Sequence, residues 1–333
     1  MRTDFDIDLR PVEEKDYELP KISYSNLSTF EHCPMQWKYK YLDHMYPEVS
    51  SLAMEIGTIL HKGMELKAEA IQIGKEVNYT FLKDQIMNGC DEVTDKNTQH
   101  LLGINELKGK YWEDWGEPDK FGRTYDQKLD LYFSEVLPSR MEDKDWEIVG
   151  CEISFEYVYD NRIRVQGFID RVDRDRNTGK YRVVDYKSSK KVFPDSEIKT
   201  PLQMYFYDCA IFVLYGQIPT EHEYDFILLD KQQCSPEICT KGYLKRGAKK
   251  VNKLLDSMDD VRNTLMAAPK PTPLCYWCPY HTNSPNADPK YRGTCQYHLL
   301  WTPTQRNFNV LNEWSKERIN NNIDNNKKRT LIF

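Results

Sequence analysis

The sequence predicts an α/β protein built on a mixed sheet, with core elements in the order helix, three strands, helix, strand. Three observations predict it. Residues 147–159, 162–174 and 180–187 are successive strand-like runs, the last two joined across Asn177-Thr178-Gly179, a hairpin turn signal. Residues 197–216 then form a long stretch with helical pattern, and 223–230 return to strand composition.

Taken in order, residues 1–20 are acidic and end at Pro20, which reads as a loosely held arm. Ser25 caps a run in which Leu27, Phe30, Trp37 and Tyr41 recur at roughly helical spacing. Pro34 should break or restart that helix and leave Cys33 at the junction, free to project toward a ligand. A second helical stretch, 57–73, carries His61. Residues 78–139 are mostly helical in pattern and rich in Trp and Tyr, an insertion before the strands. After the fourth strand, 243–267 is helical, and Pro269, Pro271 and Pro273 make a rigid spacer before a cysteine region at 269–298. The main domain is thus expected over 21–300, followed by a tail, 301–333, whose Asn- and Lys-rich part is expected to be disordered and whose end, Leu331-Ile332-Phe333, can serve as a docking tag.

Length and composition narrow the function classes. At 333 residues the chain allows one elaborated domain or two. The acidic start lacks a secretory signal, and the longest apolar run, 209–215, is too short to span a bilayer, so a cytoplasmic location and no membrane partner are expected. A net charge of −6 argues against a protein coated in DNA-binding charge but leaves room for a local basic groove. Residues 241–253 hold six cations and no acid, which fits either a phosphate track or a solvated helix face. No internal repeat or Walker-type phosphate loop is present, which excludes an ATP-driven motor. The nine cysteines of a reducing compartment are unlike a disulfide framework; Cys90, Cys151, Cys209, Cys234 and Cys239 are scattered, whereas Cys275 and Cys278 form a C-x2-C soft-metal hook.

The chemistry concentrates in VQGFID, residues 165–170, and VVDYK, residues 183–187. Each run ends on or near a carboxylate, and the period of two points Asp185 and Lys187 to one side of their strand. Two acids and a lysine meeting at one point can hold a divalent cation through hard oxygens and place an ammonium beside a phosphate or its attacking water. The competing reading of Asp185 and Lys187 is a surface ion pair. Gly167, three residues before Asp170, favours the functional one, because its missing side chain admits another backbone or a ligand.

With these pieces in order, the chain resembles the PD-(D/E)XK nuclease superfamily, and within it the RecB-like branch that carries an iron–sulfur cluster. The resemblance covers about residues 23–297 and rests on SNLSTFEHCP (25–34), GTILH (57–61), GFID (167–170), DYK (185–187) and QMYFY (203–207), followed by CYWC (275–278). It implies a restriction-endonuclease-like core in αβββαβ order with a helical insertion and an iron–sulfur clip. It implies metal ligation by His61, Asp170, Asp185 and the carbonyl of Tyr186, and catalytic roles for Asp170, Asp185 and Lys187, the last orienting water or stabilising phosphate charge. Mn²⁺ suits this mixed nitrogen and oxygen set as well as Mg²⁺. Gln203 and Tyr207, at i and i+4 on one helix face, would reach the site or the DNA backbone. Glu152 is either an assisting carboxylate or a plain strand glutamate.

The same resemblance implies a [4Fe-4S] cluster on Cys33, Cys275, Cys278 and Cys295, with zinc as the alternative. The gap from Tyr280 to Thr294 is longer than the family pattern, so His281 is a possible substitute for Cys295, and the intervening loop is expected to be an exposed excursion. The implied activity is metal-dependent DNA exonuclease action in recombination, repair or end processing, of phage type and in the host cytoplasm if so. The alternatives are a single-strand or structure-specific endonuclease and a nuclease-like DNA-binding subunit of a helicase or integration complex. The implied partners are DNA with a single-stranded end and a recombination, annealing or helicase protein.

Overall fold

The computed structural model describes residues 7–48, 50–94, 97–119, 121–189, 191–194, 198, 201–234, 240–282, 284 and 286–295. The expected tail and Cys239 lie outside them. The chain forms two compact units, one of residues 1–24 and 51–251, the other of 25–50 and 252–333.

The first unit is built on a mixed sheet. Its strands β1 (Leu9–Pro11), β5 (Trp146–Tyr159), β6 (Ile163–Asp175), β7 (Tyr181–Lys187), β8 (Glu221–Phe226) and β9 (Lys231–Cys234) lie side by side in that order, and β2 (Lys21–Ile22) adds to β6. Pairing is antiparallel except for β7 with β8 and β2 with β6. β7 and β8 are linked by α9 (Leu202–Tyr215), since parallel neighbours need a crossover. Residues 1–20 correct the expectation of a loose arm from Leu9 onward: β1 pairs with β5, and Arg10 holds the buried Asp16 through a two-nitrogen fork.

The three expected strands and the helix after them are present, shifted by a few residues at their ends. The helix Leu202–Tyr215 has Pro201 as its N-cap, the strand expected over 223–230 ends at Phe226, and β9 follows it after a turn. The 78–139 insertion is not purely helical. Between α4 (Tyr79–Asn88) and α5 (Ile104–Lys110) it holds its own hairpin, β3 (Cys90–Thr94) with β4 (Asn97–Leu101). It continues through α6 (Trp112–Trp115), α7 (Tyr125–Leu131) and α8 (Leu137–Ser139), with a π-helical turn at Tyr132–Val136.

The core position goes to α3 (Leu52–Gln72), capped by Ser51, whose side chain accepts from the Met54 amide. Leu52, Ile56, Ile59, Leu60 and Met64 follow the helical period and are buried with Leu107, Tyr132, Val184 and Tyr186. Two glycines let this helix approach its neighbours. A Cβ at Gly63 would lie 2.4 Å from Ile86 Cδ1, and one at Gly57 would lie 2.7 Å from Ser188 Oγ, just past the end of β7. Lys67, fully buried, donates to the carbonyls of Leu137, Pro138 and Arg140 and so caps the end of α8.

α10 (Lys241–Thr264) belongs to the first unit as far as Val251. There it packs on α9 through Tyr243 and Gly247, where a Cβ would come within 2.3 Å of the Tyr205 ring.

In the second unit α1 (Tyr24–His32) stops and α2 (Pro34–Trp37) restarts at Pro34, with Cys33 as its extended N-cap, as the sequence predicts. Trp37 is buried and donates to Asn26. Residues 25–50 are tied to the later part of the unit: the Tyr39 ring packs on Tyr280 at 5.1 Å, Tyr280 donates to the Met45 carbonyl, and Asp288 accepts from the Glu48 amide. The loop after Tyr280 is not the exposed excursion expected. Tyr280, His281, Ser284, Ala287 and Asp288 are buried, and the amides of Gly293 and Cys295 both return to the Tyr280 carbonyl.

Candidate active site

The site forms beside α3 and α9, where β6 and β7 part from each other past the Arg171–Val184 pair. Period two places Asp185 and Lys187 on one face, and the Lys187 ammonium sits directly against Asp185 Oδ2. The next residues of the pattern enter from α9. Gln203 Nε2 donates to Asp185 Oδ1 and to the Tyr207 hydroxyl, both at 2.8 Å, while its Oε1 accepts from Lys187 at 3.1 Å. Tyr207 adds a longer contact, 3.4 Å, to Asp185 Oδ1. Gln203 is therefore a clamp that ties acid and lysine together, and its i, i+4 spacing from Tyr207 puts the two side chains within hydrogen-bond reach of each other.

Asp170 accepts from the Tyr186 amide at 2.7 Å, which pins the carboxylate of β6 to the backbone of β7. His61, from α3, lies with Nδ1 3.6 Å from Asp170 and makes a backbone hydrogen bond with Tyr186. The side chain of Tyr186 points away into the core, where Arg171 donates to its hydroxyl at 2.6 Å. Arg171 is itself buried and forked onto Asp173, which also takes Arg182. This anchor, absent from the sequence reading, holds the backbone between Asp185 and Lys187 from the opposite side of the sheet. An arginine at a buried strand position was its only signal.

Glu152 is a second residue that composition undersells. It lies between the Cys151–Arg171 and Ile153–Ile169 pairs, hence across from Asp170, and its φ of +44° is in the left-handed region that a non-glycine residue occupies at a cost. Gly167, by contrast, admits neither backbone nor ligand. Its cross-strand partner Phe155 covers it, and a Cβ would meet that ring at 2.7 Å.

The electrostatics follow from crowding acids in a poorly hydrated corner. Burial, then Asp185 and Glu152, raise the pKa of Asp170 well above the usual carboxylate range. Burial pushes His61 down to about 4, against the pull of Asp185 and with help from Lys187, so its imidazole is neutral. Burial alone would lower Lys187, but Asp185 and Asp170 outweigh it and the ammonium is strengthened.

Among the described residues, no three or more His, Cys, Asp or Glu side chains are gathered closely enough to hold a metal ion. The expected ready-made cages are thus not found, and the hydrogen bonds give the reason for the acids: Gln203, Tyr207 and Lys187 occupy Asp185, and the Tyr186 amide occupies Asp170. The donor chemistry still fits a hard divalent cation. Two carboxylates, Asp170 and Asp185, face each other, Asp170 resists ionising beside Asp185 and Glu152, and a neutral imidazole adjoins them.

The cysteines are brought together as neighbours without forming a closed site. Burial raises the Cys278 thiol to about 12, a backbone hydrogen bond at Tyr280 opposes it, and Cys295, Cys275 and Cys33 add to it. Burial and Cys33 raise Cys275, whose sulfur accepts from the Thr272 amide at 3.4 Å. His281 is buried at the base of the same loop. Cys90 and Cys209 are buried thiols, and Cys151 is partly buried.

Among the described residues, no helix is long and apolar enough to cross a membrane. A model of the PD-(D/E)XK nuclease superfamily matches residues 21–282, and the curated proteins include no match.

Proposed function

The chain belongs to the PD-(D/E)XK nuclease superfamily, a group that generally uses Mg²⁺ or Mn²⁺, and from that premise we propose that it is a metal-dependent DNA exonuclease of RecB-like type, processing DNA ends in recombination or repair and of phage origin. The observation that carries the nuclease reading is the meeting of Asp170, Asp185 and Lys187 under the clamp of Gln203. His61, Asp170, Asp185 and the Tyr186 carbonyl would hold the cation, which supplies charge to the phosphate and a more acidic water. Lys187, kept protonated by two carboxylates, orients the attacking water or meets charge building on the phosphate. Gln203 keeps Asp185 and Lys187 in register, and Tyr207 keeps Gln203 there. The exonuclease reading draws its support from the insertion, which packs against α3 and lies beside the site, leaving a strand end as the simplest way in. The RecB-like reading rests on the sequence pattern of Cys33, Cys275, Cys278 and Cys295, which a [4Fe-4S] cluster or zinc would have to draw together.

The test is digestion of end-labelled linear DNA and covalently closed single-stranded circles with Mn²⁺ or Mg²⁺. Loss from a terminus with intact circles is expected; rapid cutting of circles would assign an endonuclease instead. Asp185→Ala should abolish cleavage and weaken Mn²⁺ binding, whereas Lys187→Ala should abolish cleavage and spare the metal. Wild-type turnover in either folded variant, or no cleavage of any DNA by the parent, refutes the reading.

A further inference from the structure

Beside the candidate catalytic cluster lies a cavity of about 440 Å³, within the size range of small-ligand sites. Its lining is mixed in chemistry: His61 and Lys187 of the candidate site contribute to it, and so do Met54, Tyr125, Leu228, Leu229 and Ser188. A nucleotide combines the same two characters, a charged phosphate and a flat apolar base. We propose that this cavity is a slot for one unpaired nucleobase, so that the substrate reaches the acids as a single strand; the proposal rests on the nuclease reading above.

The walls favour a base over a second phosphate. Lys128 reaches the lining, but its ammonium pairs with Asp119 at 2.9 Å, so it brings no net charge. The same ammonium lies 4.8 Å from the centre of the Tyr125 ring, and Trp115 packs on that ring at 5.7 Å, which fixes this wall in place. Met54, on the first turn of α3, is 63% exposed, so its side chain is available to a ligand. A thioether wall adapts to bases of different shape. Apolar contact with methionine and leucine is tolerant of sequence, as stacking platforms are. A paired base cannot enter such a cavity without leaving its partner, and this turns a phosphodiester site into a single-strand site.

The test separates binding from cleavage. Labelled single strands with one abasic position, walked through the first four nucleotides from each end, are titrated onto the intact protein in chelator. Affinity should fall about tenfold at one position and little at the others. In Met54→Ala and Leu229→Ala that dip should become several-fold shallower, while melting temperature stays near the parent's. A flat profile in a protein that still binds the strands overturns the slot, as does an undiminished dip in both variants. So does equal cutting of single strands and of duplex ends locked by an interstrand cross-link. Cleavage with Mn²⁺, measured on the same strands, reports the nuclease reading separately: a dip without cleavage keeps the slot and sinks the reading, and cleavage with a flat profile does the reverse.

Discussion

Gly57 acts through the atoms it lacks. A Cβ there would lie 2.7 Å from Ser188 Oγ and 3.5 Å from Ser188 Cβ, so a hydrogen at this position lets the helix that carries His61 lie close against the end of β7. A serine hydroxyl can rotate away from one methyl group, so Gly57→Ala should cost about 1 kcal/mol, whereas a β-branched side chain has no such escape and Gly57→Val should cost about 2–3 kcal/mol with a large loss of nuclease activity. Ser188→Gly should rescue part of both losses in Gly57→Val. Thermal melts and turnover on one substrate check this, and a Gly57→Val protein with parental values would disprove the contact. At this scale the sequence was legible wherever chemistry and period coincide. Asp185, Lys187, Gln203 and Tyr207 each stood at the spacing that brings them together. Arg171 was illegible as part of the site because its role depends on the far face of the sheet, and Glu152, read as an assisting carboxylate or a plain strand glutamate, gave no sign of the left-handed backbone angle it adopts. Gly167 was read by type too, yet its occupant is the Phe155 ring, a cross-strand neighbour set by register.

Among the elements, α10 presents Tyr243, Leu244, Gly247, Ala248 and Val251 inward and Lys241, Lys245, Arg246 and Lys249 outward. Lys241, Lys245 and Lys249 follow one another at i+4, a row that can track phosphates. If it does, the triple Lys→Gln variant should bind DNA with a salt dependence shallower by roughly 2–3 units of log K against log salt, with unchanged melting temperature. Titration at several salt concentrations decides the matter, and an unaltered slope returns the row to a solvated helix face. The strands of the main sheet were readable because their apolar runs are bounded by turns. The β3–β4 hairpin was not: CDEVT and NTQHL are too polar to show alternation in the sequence, although Cys90 and Leu101, paired across it, are buried in the core. The edge strand β1 was missed for a related reason, being three residues long in an acidic segment.

For the whole molecule, the cysteines give the clearest expectation. Anaerobically purified protein should be brown and hold iron and acid-labile sulfide; colourless protein with stoichiometric zinc would replace the cluster by the alternative metal. Cys295→Ala should lower metal content more than His281→Ala, since Cys295 is among the groups acting on Cys278. Either metal would close a loop running from Cys33 to the far end of the chain. The second unit is assembled from residues 25–50 and 252–333, separated by the whole of 51–251. On the ribosome that separation becomes a delay. About 260 residues lie between Cys33 and Cys295, so at ~5–20 residues per second Cys33 waits roughly 13–50 s for its last neighbour to be made. During that interval α1 and α2 have emerged without the aromatic residues that later cover Tyr39, and the thiol at their junction is open to the cell's oxidants and chaperones. The first unit, from 51 to 251, leaves the ribosome in one continuous stretch and can gather its helices and most of its sheet meanwhile. Birth order therefore sets which unit waits for which, and the waiting one holds Cys33.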